Sequence, residues 1–153
     1  MVIVDDYSRY TWVHFLKHKG ETLETIIGFT KRVENEKNIK IDRIRSDHGG
    51  EFENLNFSKF CLDNGYKHEF SCPRTPQQNG VVERKNRVLQ EAARTMLNAY
   101  SLPSYLWAEA VNTACYIQNR VLIHKFLWKT PFQLWNGTIP TIHYFKVFGC
   151  KVY

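Results

Sequence analysis

The 153-residue sequence has few of the devices that staple or anchor a small protein. Its four cysteines, Cys61, Cys72, Cys115 and Cys150, lie far apart, with no C-x-x-C pair and no histidine at zinc-ligand spacing. That argues against a structural zinc site or a disulfide framework and favours reduced thiols, as in the cytosol or nucleus. No apolar run approaches the roughly 18 residues of a membrane-spanning helix. The apolar start Met1–Val4 meets Asp5 and Asp6 at once, too short and too acidic for a secretory signal, so the chain reads as not secreted. Internal repeats, low-complexity tracts and interdomain linkers are also missing. Acidic residues are the scarcer charge, 15 against 21 Lys and Arg, and the net charge of +6 permits a polyanionic partner without proving one.

What is present suits a packed domain. Apolar residues make up 43% and aromatics 14%, spread along the whole chain, which excludes disorder as the dominant state. A chain of this length can bury roughly 68–70% of its unfolded surface, so residues 1–153 are expected to form a single domain. Residues 1–9 and 10–17 read as two strands joined by the polar turn Asp5-Asp6-Tyr7-Ser8-Arg9. Leu23, Ile26, Ile27 and Val33 recur at helical spacing up to about Glu36. Residues 39–46 predict a short strand that stops at Asp47-His48-Gly49-Gly50. A short helix over 57–63 and a strand over 66–70 follow. Pro73 to Gly80 reads as a breaker stretch, with a helix from Val81 to about Ala99. A further helix starts near Pro103 and a shorter one at Thr130-Pro131, and the last fifteen residues look extended. Strands alternating with helices predict an α/β fold, with a helical and extended C-terminal part over about 102–153.

Two acidic residues stand out by position. Asp47 sits where a strand ends in a Gly-Gly turn, and Glu83 opens the long helix after the breaker stretch. At about 100° per residue, Val82, Leu89, Ala93 and Met96 share an apolar stripe, bordered by Glu83, Arg87, Gln90 and Arg94. Carboxylates there can hold a divalent metal, while cations and amides contact phosphates. The same groups have plainer roles as well. Asp before Gly-Gly forms turns, a first-turn Glu complements the helix dipole, and Glu83 with Arg87 makes an ordinary i,i+4 pair. The six histidines show no ligand spacing, and the four tryptophans read as core or interface anchors. Lys37, Lys40, Arg43 and Arg45 read as a solvated edge or a nearby backbone contact.

The strings themselves carry more. Ser46-Asp47-His48-Gly49-Gly50-Glu51-Phe52 and Arg74-Thr75-Pro76-Gln77-Gln78-Asn79-Gly80-Val81-Val82-Glu83-Arg84-Lys85-Asn86-Arg87 closely resemble the catalytic core of integrases from copia-type long-terminal-repeat retrotransposons. Thirty-five residues lie between Asp47 and Glu83, the spacing that superfamily shows between its second Asp and its Glu. Val4-Asp5-Asp6-Tyr7-Ser8-Arg9-Tyr10-Thr11-Trp12, Trp107-Ala108-Glu109-Ala110-Val111 and Phe148-Gly149-Cys150 extend the match over essentially the whole chain.

The resemblance implies a ribonuclease-H-like mixed sheet flanked by helices. It also implies a two-Asp-one-Glu site with paired Mg²⁺ (or Mn²⁺) ions, which trims the element's DNA end and joins its 3′ hydroxyl to target DNA. By position, Asp47 becomes the second catalytic and metal-holding Asp and Glu83 the third carboxylate. Asn86, Arg87 and Gln90 would face DNA, and Gln77–Gly80, with Gln78 and Asn79, would form a mobile DNA-contacting loop. His48 replaces the Asn often found after this Asp. DNA ends and target DNA are the implied partners, a homo-oligomer the implied assembly, and the nucleus or a cytoplasmic retrotransposon particle the implied location, with no membrane association.

The family's first catalytic Asp lies on a central strand before the one resembled by Val4-Asp5-Asp6. That strand is expected to precede Met1, so the chain is read as N-terminally truncated and inactive on its own, with Asp5 or Asp6 as the alternative first carboxylate. The zinc-binding module and downstream basic region of a full integrase are not seen in it. Losing a central strand would expose backbone edges. A non-catalytic relic that binds nucleic acid or protein is the alternative reading of function.

Overall fold

The computed structural model describes residues 1–71 and 76–151, with the side chains of 76–79 outside the description. The chain divides into two compact units, Met1 with His14–Gly80 and Val2–Val13 with Val81–Tyr153.

The first unit is built from α1 (Thr22–Lys37), β3 (Arg43–Ser46), α2 (Leu55–Asn64) and β4 (Lys67–Phe70). Helix α1 buries Ile26, Phe29 and Val33 on one face and ends at Asn38, whose left-handed conformation (φ 52°) an Asn tolerates better than most residues. Asn54 starts α2 by accepting the Phe57 N–H on its side chain, and Gly65 closes it at φ 74°. That tight stop drops the chain directly into β4, which pairs with β3 in parallel, Ile44 opposite His68 and Ser46 opposite Phe70. Two such short strands are marginal by themselves. They are held by a core of Ile26, Phe57, Cys61 and Tyr66, joined by Leu23, Ile41, Ile44, Phe52 and Phe60.

The second unit contains β1 (Val2–Val4), β2 (Thr11–Val13), the Val81–Ala99 part of α3 (Pro76–Ala99), α4 (Trp107–Val121) and α5 (Pro131–Asn136). β1 and β2 pair antiparallel, with Ile3 opposite Trp12. The outward N–H and C=O of Thr11 are taken by the Asn119 side chain, at 3.0 and 2.8 Å. The buried amide thus completes the β2 edge as a neighbouring strand would. Leu89, Ala93 and Leu97, spaced four apart on α3, pack with Ala110, Val111, Ala114 and Cys115 of α4. Thr130 and Gln133 form a reciprocal capping box at the start of α5, with Pro131 in its first turn and Gly137 as its stop.

Several sequence expectations need correction. The first two strands are three residues each rather than nine and eight, because the Asp5–Arg9 turn takes up the intervening chain. The third begins at Arg43 instead of residue 39. Helix α3 begins at Pro76 rather than Val81, so the backbone of residues 76–80 is a first helical turn and not a loop. Proline suits that first position, and one Gly at residue 80 costs a helix only about 1 kcal/mol. The described C-terminal residues form turns without a strand, and Trp128 is 81% exposed, so it anchors no core.

Candidate functional site

Asp47 follows directly on the last residue of β3. The last ladder bond runs from the Ser71 N–H to the Ser46 carbonyl at 2.9 Å, after which the chain turns through Gly49 and Gly50. Asp47 is exposed, and its Oδ1 accepts the Gly49 N–H at 3.1 Å. The turn is closed by the N–H groups of Phe52 and Glu53, which both donate to the Gly49 carbonyl, and by the Asn54 amide, which donates to the carbonyls of Gly50 and Glu51. A carboxylate is therefore presented to solvent from a fixed strand end.

Aromatic and imidazole rings surround that end. His48 stacks on Phe70 with centroids 4.8 Å apart, and its Nδ1 lies 3.6 Å from Glu53. His68 lies against Phe70 and the fully buried Phe57 at 4.3 and 4.8 Å, with Nε2 2.9 Å from the Ser46 hydroxyl. Burial lowers the His68 pKa from its ordinary value. The nearby cations are paired across the strands. Arg43 and Arg45 share Glu69 at 2.7 and 3.4 Å, and Lys67 meets Asp42 at 3.1 Å. This edge is a solvated ion-pair ladder.

Glu83 belongs to the second unit, exposed on α3 together with Asn86 and Arg87, while Gln90 is half-buried. Asn86, Gln90 and Arg94, four residues apart, form a hydrogen-bonded chain. Gln90 donates to Asn86 at 3.2 Å and Arg94 to Gln90 at 3.5 Å, and the Arg94 guanidinium lies 5.9 Å from the Trp107 ring centre. The side chains of Gln78 and Asn79 lie outside the described residues. Lys85 points inward, and its ammonium pKa is lowered first by burial and further by Arg9, with Cys115 opposing. The Cys115 thiol is pushed up to about 11 by burial, against the pull of Lys85 and Arg120.

Asp5 and Asp6 are placed differently. Oδ2 of Asp5 accepts both the N–H and the hydroxyl of Ser8, at 2.7 and 2.6 Å, and Asp6 pairs with Arg9 at 2.9 Å. Both carboxylates work within the turn after β1. Among the described residues, no three His, Cys, Asp or Glu side chains converge to hold a metal ion. The residues that sequence reasoning passed over are Ser46 and His68. The alternation of Tyr66, His68 and Phe70 was the available signal, but their partner was set by strand register.

Helices with one parallel and one antiparallel strand pair make an α/β protein, and its fold class is that of the ribonuclease-H-like integrase cores. Residues 1–76 match the integrase core domain family. All 153 residues align at 39% identity with the retrovirus-related Pol polyprotein of transposon TNT 1-94 from Nicotiana tabacum, covering 12% of it. They align at 37% with the Pol polyprotein of transposon RE1 from Arabidopsis thaliana, covering 10%. The chain thus spans about a tenth of the length of these relatives. Among solved structures, the simian T-cell lymphotropic virus intasome in complex with PP2A regulatory subunit B56 gamma has a chain that matches with a TM-score of 0.72 and 20% identity. That match covers 98% of this chain and 51% of the other. The HTLV-2 integrase catalytic core domain in complex with magnesium, in its trimeric form, matches with a TM-score of 0.64 and 26% identity, over 86% and 80%. This chain belongs to the integrase core family and is similar over its whole length to retrotransposon Pol polyproteins.

Proposed function

We propose that the chain is a catalytic-core segment for joining retrotransposon DNA ends to target DNA, with Asp47 and Glu83 as two of its metal-holding carboxylates. The observation that carries this reading is the exposed Asp47 carboxylate at the end of β3, oriented by the Gly49 N–H. Its donor chemistry fits Mg²⁺ or Mn²⁺. A hard cation takes oxygen ligands, and magnesium is commonly held by one or two carboxylates with waters and phosphates. Bound there, the metal would supply an activated water and neutralise charge on the phosphodiester. Arg87 would contact phosphate, while Asn86 and Gln90, already bonded to each other, would present amides to the backbone. Gln78 and Asn79 are proposed as further DNA contacts from the start of the same helix. The working form is proposed to be a homo-oligomer on DNA, in the nucleus or a retrotransposon particle.

With Asp5 engaged by Ser8, the proposed site has Asp47 and Glu83 but no free Asp5 to complete it, and the chain by itself is expected not to join DNA. Binding of an element-end duplex, followed by fluorescence anisotropy with and without Mg²⁺, tests the reading. Wild type is expected to bind more tightly with the metal, and Asp47→Asn to lose that gain. Binding indifferent to metal in both would favour a non-catalytic nucleic-acid-binding module. Joined product that disappears in Glu83→Gln would overturn the inactivity and point to Asp5 or Asp6 as the first carboxylate.

A further inference from the structure

Beyond the carboxylates themselves, the end of β3 holds a part-buried polar relay from His68 through Ser46 to the Asp47 carbonyl. The Ser46 side chain sits in a residue only 6% exposed, and its hydroxyl meets two partners. One is the Asp47 carbonyl oxygen, to which it donates at 3.0 Å, and the other is His68 Nε2 at 2.9 Å. A hydroxyl has one proton to give. With that proton given to the Asp47 carbonyl, Ser46 accepts from His68, which assigns the imidazole proton to Nε2. Phe57 and Phe70 pack against the ring at 4.8 and 4.3 Å.

The position of this relay matters because, among the described residues, the β3–β4 pairing ends there. The Ser71 N–H makes the last ladder bond to the Ser46 carbonyl. One residue further, the Asp47 carbonyl is held by the Ser46 hydroxyl, which fixes the Asp47–His48 peptide plane. That plane determines whether the Gly49 N–H can reach Asp47 Oδ1, the 3.1 Å bond that orients the carboxylate.

We propose that His68, acting through Ser46, is a positioning residue that preorganises Asp47 for a divalent cation. The proposal rests on the reading of Asp47 as a metal ligand. Groups behind a metal's direct ligands commonly change its affinity 10–100-fold when removed. On that scale, Ser46→Ala and His68→Phe are expected to raise the midpoint of Mn²⁺ binding by roughly tenfold. His68→Gln, which keeps an N–H near the Nε2 position, is expected to stay within about twofold of wild type.

The test is a Mn²⁺ titration of the ¹⁵N-labelled chain, read as broadening of the Gly49 amide resonance, with Gly49 hydrogen exchange measured before metal is added. Ser46→Ala removes one oxygen atom and adds no bulk, so it reports even if His68→Phe fails to fold. Weakened metal binding in Ser46→Ala together with recovery in His68→Gln supports the proposal. A wild-type midpoint in Ser46→Ala overturns it. If wild-type Gly49 shows no broadening at all, the assignment of Asp47 as a metal ligand fails. Gly49 exchange then decides the positioning separately. Protection lost in Ser46→Ala and kept in His68→Gln upholds the relay, and equal protection in wild type and both variants overturns it.

Discussion

The turn after β1 and the turn after β3 each begin with an aspartate, yet the two carboxylates are committed differently. Asp5 is followed three residues later by Ser8, whose N–H and hydroxyl both reach its Oδ2. Asp47 is followed by Gly49 and Gly50, and the only side-chain bond it takes inside its turn is the Gly49 N–H. The first is a serine-closed aspartate turn whose acid is consumed in making the fold. The second is closed mainly by backbone bonds to the Gly49 carbonyl, which leaves the acid open. What separates the committed aspartate from the open one here is which residues follow it, not its place at a strand end.

The strongest way to break the contrast is to remove the platform beneath Asp47. Phe57 is fully buried and packs against Phe52, Phe60 and His68. Phe57→Ala is expected to cost about 3–5 kcal/mol, as for other large-to-small core changes. Urea unfolding followed by circular dichroism measures it, and a loss under about 1 kcal/mol would show that Phe57 is no keystone of this unit.

A smaller effect is expected in the other turn. Ser8 is 1% exposed, donates to Asp5 and accepts the Tyr10 N–H at 3.1 Å. Ser8→Ala strands that N–H and removes a charge-assisted bond, for an expected cost of about 1–3 kcal/mol. An unchanged unfolding midpoint would mean that the Asp5 carboxylate is not committed to the turn.

Acid should act on the Asp47 unit more gently, through two imidazoles. The His14 pKa is lowered from 6.5 by burial first, then by Arg32 and the Met1 amine, and that of His68 by burial. Groups held neutral in the fold bind protons more readily when unfolded, so stability is full above about pH 6.5 and falls as pH drops below it. Unfolding midpoints from pH 7.5 down to 5 in His14→Phe and His68→Gln, compared with wild type, check the sign. A slope indifferent to both changes would remove these histidines from the account.

The sequence made some of this legible and not the rest, for a physical reason. Local patterns are written in neighbouring residues. The apolar spacing of Leu89 and Ala93, the Thr130–Gln133 capping box and the Gly-Gly turn after Asp47 all show their structure within a few positions. The 35-residue spacing of Asp47 and Glu83 was readable within a familiar string, and the two residues belong to different units. Contacts set by register were not. Ser46 meets His68 because β3 and β4 pair in parallel, and Asn119 reaches Thr11 across 108 residues. The overlong strands at the N-terminus have the same origin. Tyr10 looks strand-forming, but the reach of Ser8 back to Asp5 makes the turn that separates β1 from β2.

The smallest expected stability change is the most informative about the two acids. Asp5→Asn keeps an acceptor oxygen but removes the charge that shortens its bonds to Ser8, an expected loss of about 1 kcal/mol. Asp47→Asn keeps the acceptor for Gly49 at an exposed site, where substitutions usually stay within about 0.5 kcal/mol of neutral. Metal response should divide the other way, lost in Asp47→Asn and retained in Asp5→Asn. Urea unfolding with and without Mn²⁺ reads both quantities on the same samples, because a cation bound only by the folded chain raises its midpoint. A chain stabilised by Mn²⁺ in Asp47→Asn but not in Asp5→Asn would invert the assignment. The turn after β1 would then be the one that releases its carboxylate when metal arrives.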